Sequence, residues 1–203
     1  MRTYIINIFI TLFVFTGSLV RAQDVPLRLE QAKAAYSSGN LQDSRLALQQ
    51  ALAEVDQALG KEILSMLPQY MESLSYVEEE DLVMGNAAGI TGMHVNRFYG
   101  DDQQSVRVEL IDDSPLLAAV NSLLSLPTFM GAADPNQKRI RIHGYKALME
   151  KSTDDSTGVV SWNLQVPFNR SLFTFQSIGF EEEKKVVGMA ETIPLEAIIK
   201  LTK

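Results

Sequence analysis

The side chains best suited to chemistry in this sequence are its two histidines, His94 and His143. Either imidazole could act as a general base beside a serine, because histidine titrates near neutral pH. The sequence contains no G-x-S-x-G motif, which would place a nucleophilic serine on a sharp turn. It also contains no cysteine, so thiol nucleophiles and cysteine-ligated metal sites are excluded. Two histidines are too few for a three-histidine metal site, and we predict no cofactor.

Three pairs of adjacent acids are the second candidate for chemistry: Asp101-Asp102, Asp112-Asp113 and Asp154-Asp155. Paired carboxylates serve as the acid and base of glycosidases, and carboxylates also bind calcium. Each pair lies at a predicted turn or helix start, where an aspartate usually hydrogen-bonds the local backbone. None has the D-x-[DN]-x-[DN]-G spacing of a calcium-binding loop. A carboxylate-dependent hydrolase therefore stands third among the functions that we consider.

A basic cluster lies between residues 138 and 146. Arg139, Arg141 and His143 alternate along a predicted strand and should share one of its faces, with Lys138 and Lys146 on the other. Three positive groups on one face could bind an anionic ligand. They could also pair with acids of the helical half of the chain. We favour this pairing, because the sequence has 25 acids and only 18 lysines and arginines.

The stretch 126–133 carries two large apolar side chains, Phe129 and Met130, in a sequence with the composition of a loop. If exposed, they would form a contact surface for a protein or a lipid. If buried, they would cover the core, which we favour because an isolated apolar pair is usually buried. The candidate contact surface comprises these two residues and three basic ones: Arg139, Arg141 and His143.

The first 22 residues have the layout of a cleavable secretory signal. Arg2 supplies the positive start, an apolar run extends from Ile5 to Phe15, and small residues lead to Ala22. The apolar run is shorter than the roughly 20 residues that span a membrane. We therefore predict cleavage after Ala22 and a mature chain that is periplasmic or secreted, with no stable membrane span.

Composition limits the partners of the mature chain. The 203-residue sequence has a net charge of −7, and removing the two arginines of residues 1–22 makes it −9. Nucleic acids and anionic membranes attract basic surfaces, so this charge argues against both as general partners. An exported chain without cysteine must be stable by packing alone, and its lack of disulfides favours a bacterial compartment.

Residues 23–84 have the apolar periodicity of helices. Apolar residues between Leu48 and Leu59 recur at i, i+3, i+4 and i+7, and a shorter stripe begins at Leu29. The polar break at residues 37–40 predicts a helical hairpin. A third helical piece is predicted from Lys61 to Leu67, with room for the helix to resume after Pro68.

Residues 85–203 have the period of two that is typical of strands, interrupted by two helical patterns. One helix is predicted after Pro115 and a closing helix begins near Glu181. The order ββαβββα predicts an α+β fold with an antiparallel five-stranded sheet and helices. The five strands are predicted at Met93–Tyr99, Val106–Leu110, Arg139–Met149, Val159–Val166 and Leu172–Ile178.

Two parts of the chain resemble known families. Residues 29–59 combine small residues with a glycine at the turn, Gly39, and resemble one tetratricopeptide-type helix pair. Residues 90–200 resemble the PsbP-like α/β sandwich domains of exported proteins in the order of their elements and in the run from Trp162 through Phe175 to an acidic helix start. The second resemblance implies an accessory or binding role and assigns no functional residue.

We therefore expect an exported, non-catalytic binding or accessory protein of the bacterial cell envelope. It would act through protein–protein contacts, made by the helical hairpin, by the stretch 126–133, or by both. The alternative is a carrier of an apolar or lipid-like ligand, held in a cavity between the sheet and its helices.

Overall fold

The computed structural model describes residues 24–85, 92–126 and 135–203. The predicted signal, residues 1–22, lies outside these ranges, as do Phe129 and Met130 of the candidate contact surface. In chain order the elements are α1 (Asp24–Ser37), α2 (Leu41–Met66), β1 (Tyr70–Met71), β2 (Leu74–Ser75), a 3-10 turn (Glu78–Glu80), β3 (Leu82–Met84), β4 (His94–Gly100), β5 (Ser105–Asp112), α3 (Leu117–Ser125), β6 (Gln137–Ile142), β7 (Tyr145–Thr153), β8 (Val160–Phe168), β9 (Ser171–Ile178), α4 (Glu183–Ala190) and α5 (Leu195–Leu201).

The predicted helical hairpin is confirmed by α1 and α2, which pack along each other. Small side chains at the contact allow close approach, and the Ser44 hydroxyl donates to the carbonyl of Ala32 at 2.9 Å. Asn40 caps α2 by accepting from the backbone N–H of Asp43. Helix α2 continues without a break to Met66, so the predicted third piece is the end of this helix.

The predicted α+β class is also confirmed, but the sheet has seven strands among the described residues, in the order β3-β4-β5-β9-β8-β7-β6, with every neighbour antiparallel. Two differences explain the count. The segment Arg139–Met149 is not one strand, because a tight turn at His143 and Gly144 divides it into β6 and β7. Both turn residues have positive φ, +48° and +83°, as a two-residue type I′ hairpin requires. The other addition is β3, which pairs with β4 at the opposite edge.

After Pro68 the helix does not resume. The segment forms the small hairpin β1–β2, in which Tyr70 lies opposite Ser75 and Met71 opposite Leu74. Met71 is 1% exposed and belongs to the main core, together with Ile63 of α2. The end of α2 and the β1–β2 hairpin therefore share one core with the sheet.

The two faces of the sheet differ in cover. One face packs against α2, α4 and α5, and the large side chains between them are buried, among them Tyr99, Leu164, Phe173 and Phe175. We call the other the polar face. Helix α3 packs on it through Val120 and Leu124, which contact Leu148 and Leu172 in a small separate cluster.

Candidate functional site

The end of helix α2 is linked to the sheet by Arg97, which is also half of a buried ion pair. Arg97 on β4 is 7% exposed and donates to both carboxylate oxygens of Asp81, from Nε at 2.9 Å and from Nη2 at 2.5 Å. Its Nη1 donates to the carbonyl of Leu67 at 3.3 Å, and the guanidinium lies 4.3 Å from the ring centroid of Tyr76. One cation thus joins the end of α2 to the sheet edge.

Tyr99 makes a second link at the same junction. Its hydroxyl donates to the carbonyl of Pro68 at 2.8 Å, and the side chain is fully buried. Burial raises the pKa of Tyr99 to about 12, so the hydroxyl keeps the proton that this hydrogen bond needs. Two buried polar side chains of β4 therefore hold the backbone just after the end of α2.

The N-terminal half of α2 extends beyond the sheet and carries an apolar row, which we call the leucine seam: Leu41, Leu48, Leu52, Val55 and Leu59. Four of the five, all except Leu59, are 39–63% exposed. An open groove of about 380 Å³ follows the seam, and Tyr36 of α1 forms one of its sides. The contact with α1 is made by a different row, which includes Ala47 and Ala51.

The leucine seam continues directly into the core. Leu59 is partly buried and packs against the core cluster, and Ile63, one turn further, is 1% exposed. The same apolar stripe is therefore covered by the domain at its C-terminal end and open at its N-terminal end. Exposed apolar residues scattered singly are normal, whereas a contiguous row marks a contact surface.

The basic cluster lies on β6, the last strand of the sheet, and on its neighbour β7. Arg139 and Arg141 share the polar face, as predicted, but Lys146 lies opposite Arg141 in the hairpin register and so joins them. The tight turn reverses the chain, which is why Lys146 was wrongly placed on the other face. These three cations line an open groove of about 680 Å³ beside the end of α3. His143 is exposed in the turn itself.

The expected pairing of these arginines with acids is not seen among the described residues. Arg139 donates to the carbonyl of Leu126, and Arg141 donates to the carbonyl of Gly144 at 2.6 Å. Lys138 on the opposite face does pair with an acid, Glu183 at the start of α4. The three cations Lys138, Arg139 and Arg141 are all exposed, so their ionic contacts contribute little to stability and do not form a built site.

The polar face carries a second group of charged side chains on β4 and β5. His94 Nε2 lies 2.7 Å from Glu109 Oε1, and the next row holds Arg107, which donates to Asn96 at 3.1 Å. The Arg107 guanidinium also lies 5.1 Å from the ring centroid of Phe98. The charged and polar side chains of this group are therefore paired with each other across β4 and β5, as in a structural ladder of cross-strand pairs.

Replacing Glu109 with glutamine should reduce the loss of stability in acid. The hydrogen bond with His94 lowers the pKa of Glu109 below its ordinary value of 4.5. A carboxyl with a lowered pKa stabilises the fold above its unfolded pKa, and this contribution is lost as the pH falls through the folded pKa. We expect denaturant unfolding to give a higher free energy of unfolding for wild type than for Glu109→Gln at neutral pH. The two values should become equal in acid. A constant difference at every pH would contradict this.

Two of the three acid pairs make local hydrogen bonds at turns. In the third, Asp112 accepts from the Ser171 hydroxyl at 3.0 Å and Asp113 accepts from the Arg170 guanidinium, so this pair links distant parts of the chain. Asp154 accepts from the backbone N–H groups of Ser156 and Thr157 and from both hydroxyls, which lower its pKa to about 2. Asp101 accepts from two backbone N–H groups in the β4–β5 turn, which lower its pKa. A general acid needs a raised pKa, so these carboxylates are poorly suited to that role. Across the described ranges, no three histidine, aspartate or glutamate side chains cluster as metal ligands would.

The exposed character of the leucine seam and the charged ladder of the polar face were not predicted from the sequence. The period of α2 was visible, but periodicity shows which residues share a face and not what covers that face.

No helix within the described ranges combines the length and apolar character needed to cross a membrane. No protein-family model matches the chain, and a search of curated proteins finds none that is similar. The resemblances to tetratricopeptide-type and PsbP-like proteins therefore stay predictions.

Proposed function

We propose that this chain is an exported, non-catalytic binding protein of the bacterial cell envelope that acts through protein–protein contacts made by its helical hairpin. The observation that carries the proposal is the leucine seam, a contiguous apolar row with four of its five side chains 39–63% exposed. Covering such a row removes apolar surface from water, which is the main source of affinity in protein association.

The attachment of α2 supports this role. Arg97 and Tyr99 fix the carbonyls of Leu67 and Pro68, so the seam projects from a rigid base. A preorganised surface loses less conformational entropy on binding than a flexible one does. The structure thus presents an apolar helix face that needs little ordering before it is covered.

The carrier alternative has less support. Between the sheet and its helices, the space where a ligand would lie contains fully buried side chains, including Leu164, Phe175 and Ile198. The grooves beside Tyr36 and Arg139 open to solvent along the surface. A ligand site of the usual kind encloses most of its ligand within a cavity.

Site-specific photo-crosslinking tests the proposal. The full chain is expressed in a Gram-negative bacterium with a photo-reactive phenylalanine at Leu48, and in a matched control at Gln57. Gln57 is exposed on the same helix, and nine residues place it on the side opposite Leu48. We expect many protein adducts from position 48 and few from position 57. Mass spectrometry of the adducts should show that the chain has lost residues 1–22.

Three outcomes would contradict the proposal. Equal adducts from the two positions would show that the seam is no preferred contact surface. Lipid adducts alone at Leu48 would favour the carrier alternative. An uncleaved chain found in the cytosol would contradict the proposal that the protein is exported to the cell envelope.

A further inference from the structure

The leucine seam has the spacing of a coiled coil. From Leu41 to Leu59 its members are separated by seven, four, three and four residues. These separations place every member at an a or d position of a heptad repeat, with one a position between Leu41 and Leu48 that is not apolar. Arg45 occupies this a position. A strict a/d row is the pattern that one helix presents to a partner helix, narrower than the stripe that covers a globular core.

We infer that the partner is a second copy of this chain, and that the two α2 helices pair antiparallel through their leucine seams to form a homodimer. This inference rests on the proposed function, since it names the protein that the seam contacts. In an antiparallel pair each a position meets a d position of the other helix. The register that covers the whole seam sets Leu48 against Leu52 of the second copy and Leu41 against Leu59.

The surface around Leu59 can receive the far end of such a helix. An open groove of about 500 Å³ lies there, lined by Asp56, Leu59, Met93 and Leu201 among others. In the antiparallel register it faces the tip of the second copy's hairpin, where Leu41 is 63% exposed. The seam and this groove are continuous, so one copy supplies both the projecting end and the surface that accepts it.

Charge favours the antiparallel arrangement and a second copy. A parallel pair would set Arg45 against Arg45, whereas the antiparallel register sets it against Val55, one residue from the carboxylate of Asp56. A polar side chain at an a position commonly fixes register and partner number in this way. An arbitrary apolar helix would cover the seam but would also bury the Arg45 guanidinium without a matching acid.

The test uses the chain from Gln23 to Lys203, with sedimentation velocity across a range of concentrations and circular dichroism to confirm the fold. We expect wild type to be dimeric, and Leu48→Glu/Leu52→Glu and Leu48→Lys/Leu52→Lys each to be monomeric, with a dissociation constant raised at least about tenfold. Mixing the two variants should restore a dimer. The matched control, Gln57→Glu, adds a charge to the opposite side of α2 and should remain dimeric.

The variant Leu48→Glu/Leu52→Lys tests the direction of the helices. In the antiparallel register each glutamate faces a lysine, so this variant should dimerise, whereas a parallel pair would set like charges together and dissociate. The inference is overturned if wild type is monomeric up to about 100 μM, or if the double-glutamate variant dimerises as wild type does.

The crosslinking experiment separates this inference from the proposed function. An adduct from Leu48 with twice the mass of the chain supports the dimer. An adduct with the mass of another protein overturns the dimer and keeps the proposed function. The absence of any protein adduct overturns both.

Discussion

Asp81→Ala should lower the free energy of unfolding by about 3–5 kcal/mol, the usual cost of leaving one member of a buried ion pair alone. Arg97 is 7% exposed and directs two of its nitrogens at Asp81. Asp81 raises the pKa of this guanidinium, but Arg97 stays charged even without it, because an arginine side chain is not deprotonated in proteins. Denaturant unfolding followed by circular dichroism measures the loss.

Two control proteins show whether burial is the cause. Arg170→Ala breaks another bidentate ion pair, with Asp113, and the Arg170 side chain is 70% exposed, so the change should alter stability far less. The double variant Arg97→Met/Asp81→Ala removes both charges and should recover part of the loss, because no unpaired charge remains buried. A midpoint for Asp81→Ala equal to that of wild type would contradict the prediction.

Phe175→Ala should cost a similar amount, about 3–5 kcal/mol, because it leaves a cavity in a close-packed core. Phe175 is 0% exposed and lies on β9, the central strand of the seven. The matched control is Gln176→Ala on the same strand. Its side chain is exposed on the polar face, so the change should have little effect on the unfolding midpoint.

The size of the Phe175 effect also bears on function. A dense contact between the sheet and its helices makes the substitution severe and leaves no room for a ligand. A loss below about 1 kcal/mol would instead indicate loose packing there. That result would contradict the prediction and strengthen the case for a carrier.

The helices of this chain were largely predictable from the sequence, but which of their faces are buried and which are exposed was not. Apolar residues at helical spacing predicted α2 and the closing helix α4, and Val186 of α4 is buried as that pattern requires. The row containing Leu48 and Ala51 appeared in the sequence as one stripe. In the structure Ala51 contacts α1, whereas Leu48 is exposed, because two neighbouring rows of a helix can face different surroundings.

The strand errors have local causes. The β6–β7 turn consists of His143 and Gly144. Apolar residues alternate on both sides of it but in opposite phase, since Ile140 and Ile142 are at even positions and Tyr145 and Ala147 at odd ones, and this change of phase was the overlooked sign of the turn. An Asn-Gly pair would have marked such a turn clearly. Strand β3 has only three residues and follows a run of acids, so its alternation is too short to detect.

The candidate contact surface was predictable only in part. Alternation correctly grouped Arg139 with Arg141, since both lie on one strand before the turn. The same alternation misplaced Lys146, because pairing across a hairpin depends on where the chain reverses. The charged ladder of His94 and Glu109 joins residues fifteen apart, and only the register between two strands brings them together.

The edge strand β6 has cations at three of its six positions: Lys138, Arg139 and Arg141. An open strand edge can template pairing with the backbone of another molecule, and rows of positive charge discourage it. Two such edges meeting in solution would repel each other. The row of cations therefore disfavours edge-to-edge pairing of β6 between copies of this protein, while the leucine seam of α2 stays free to associate.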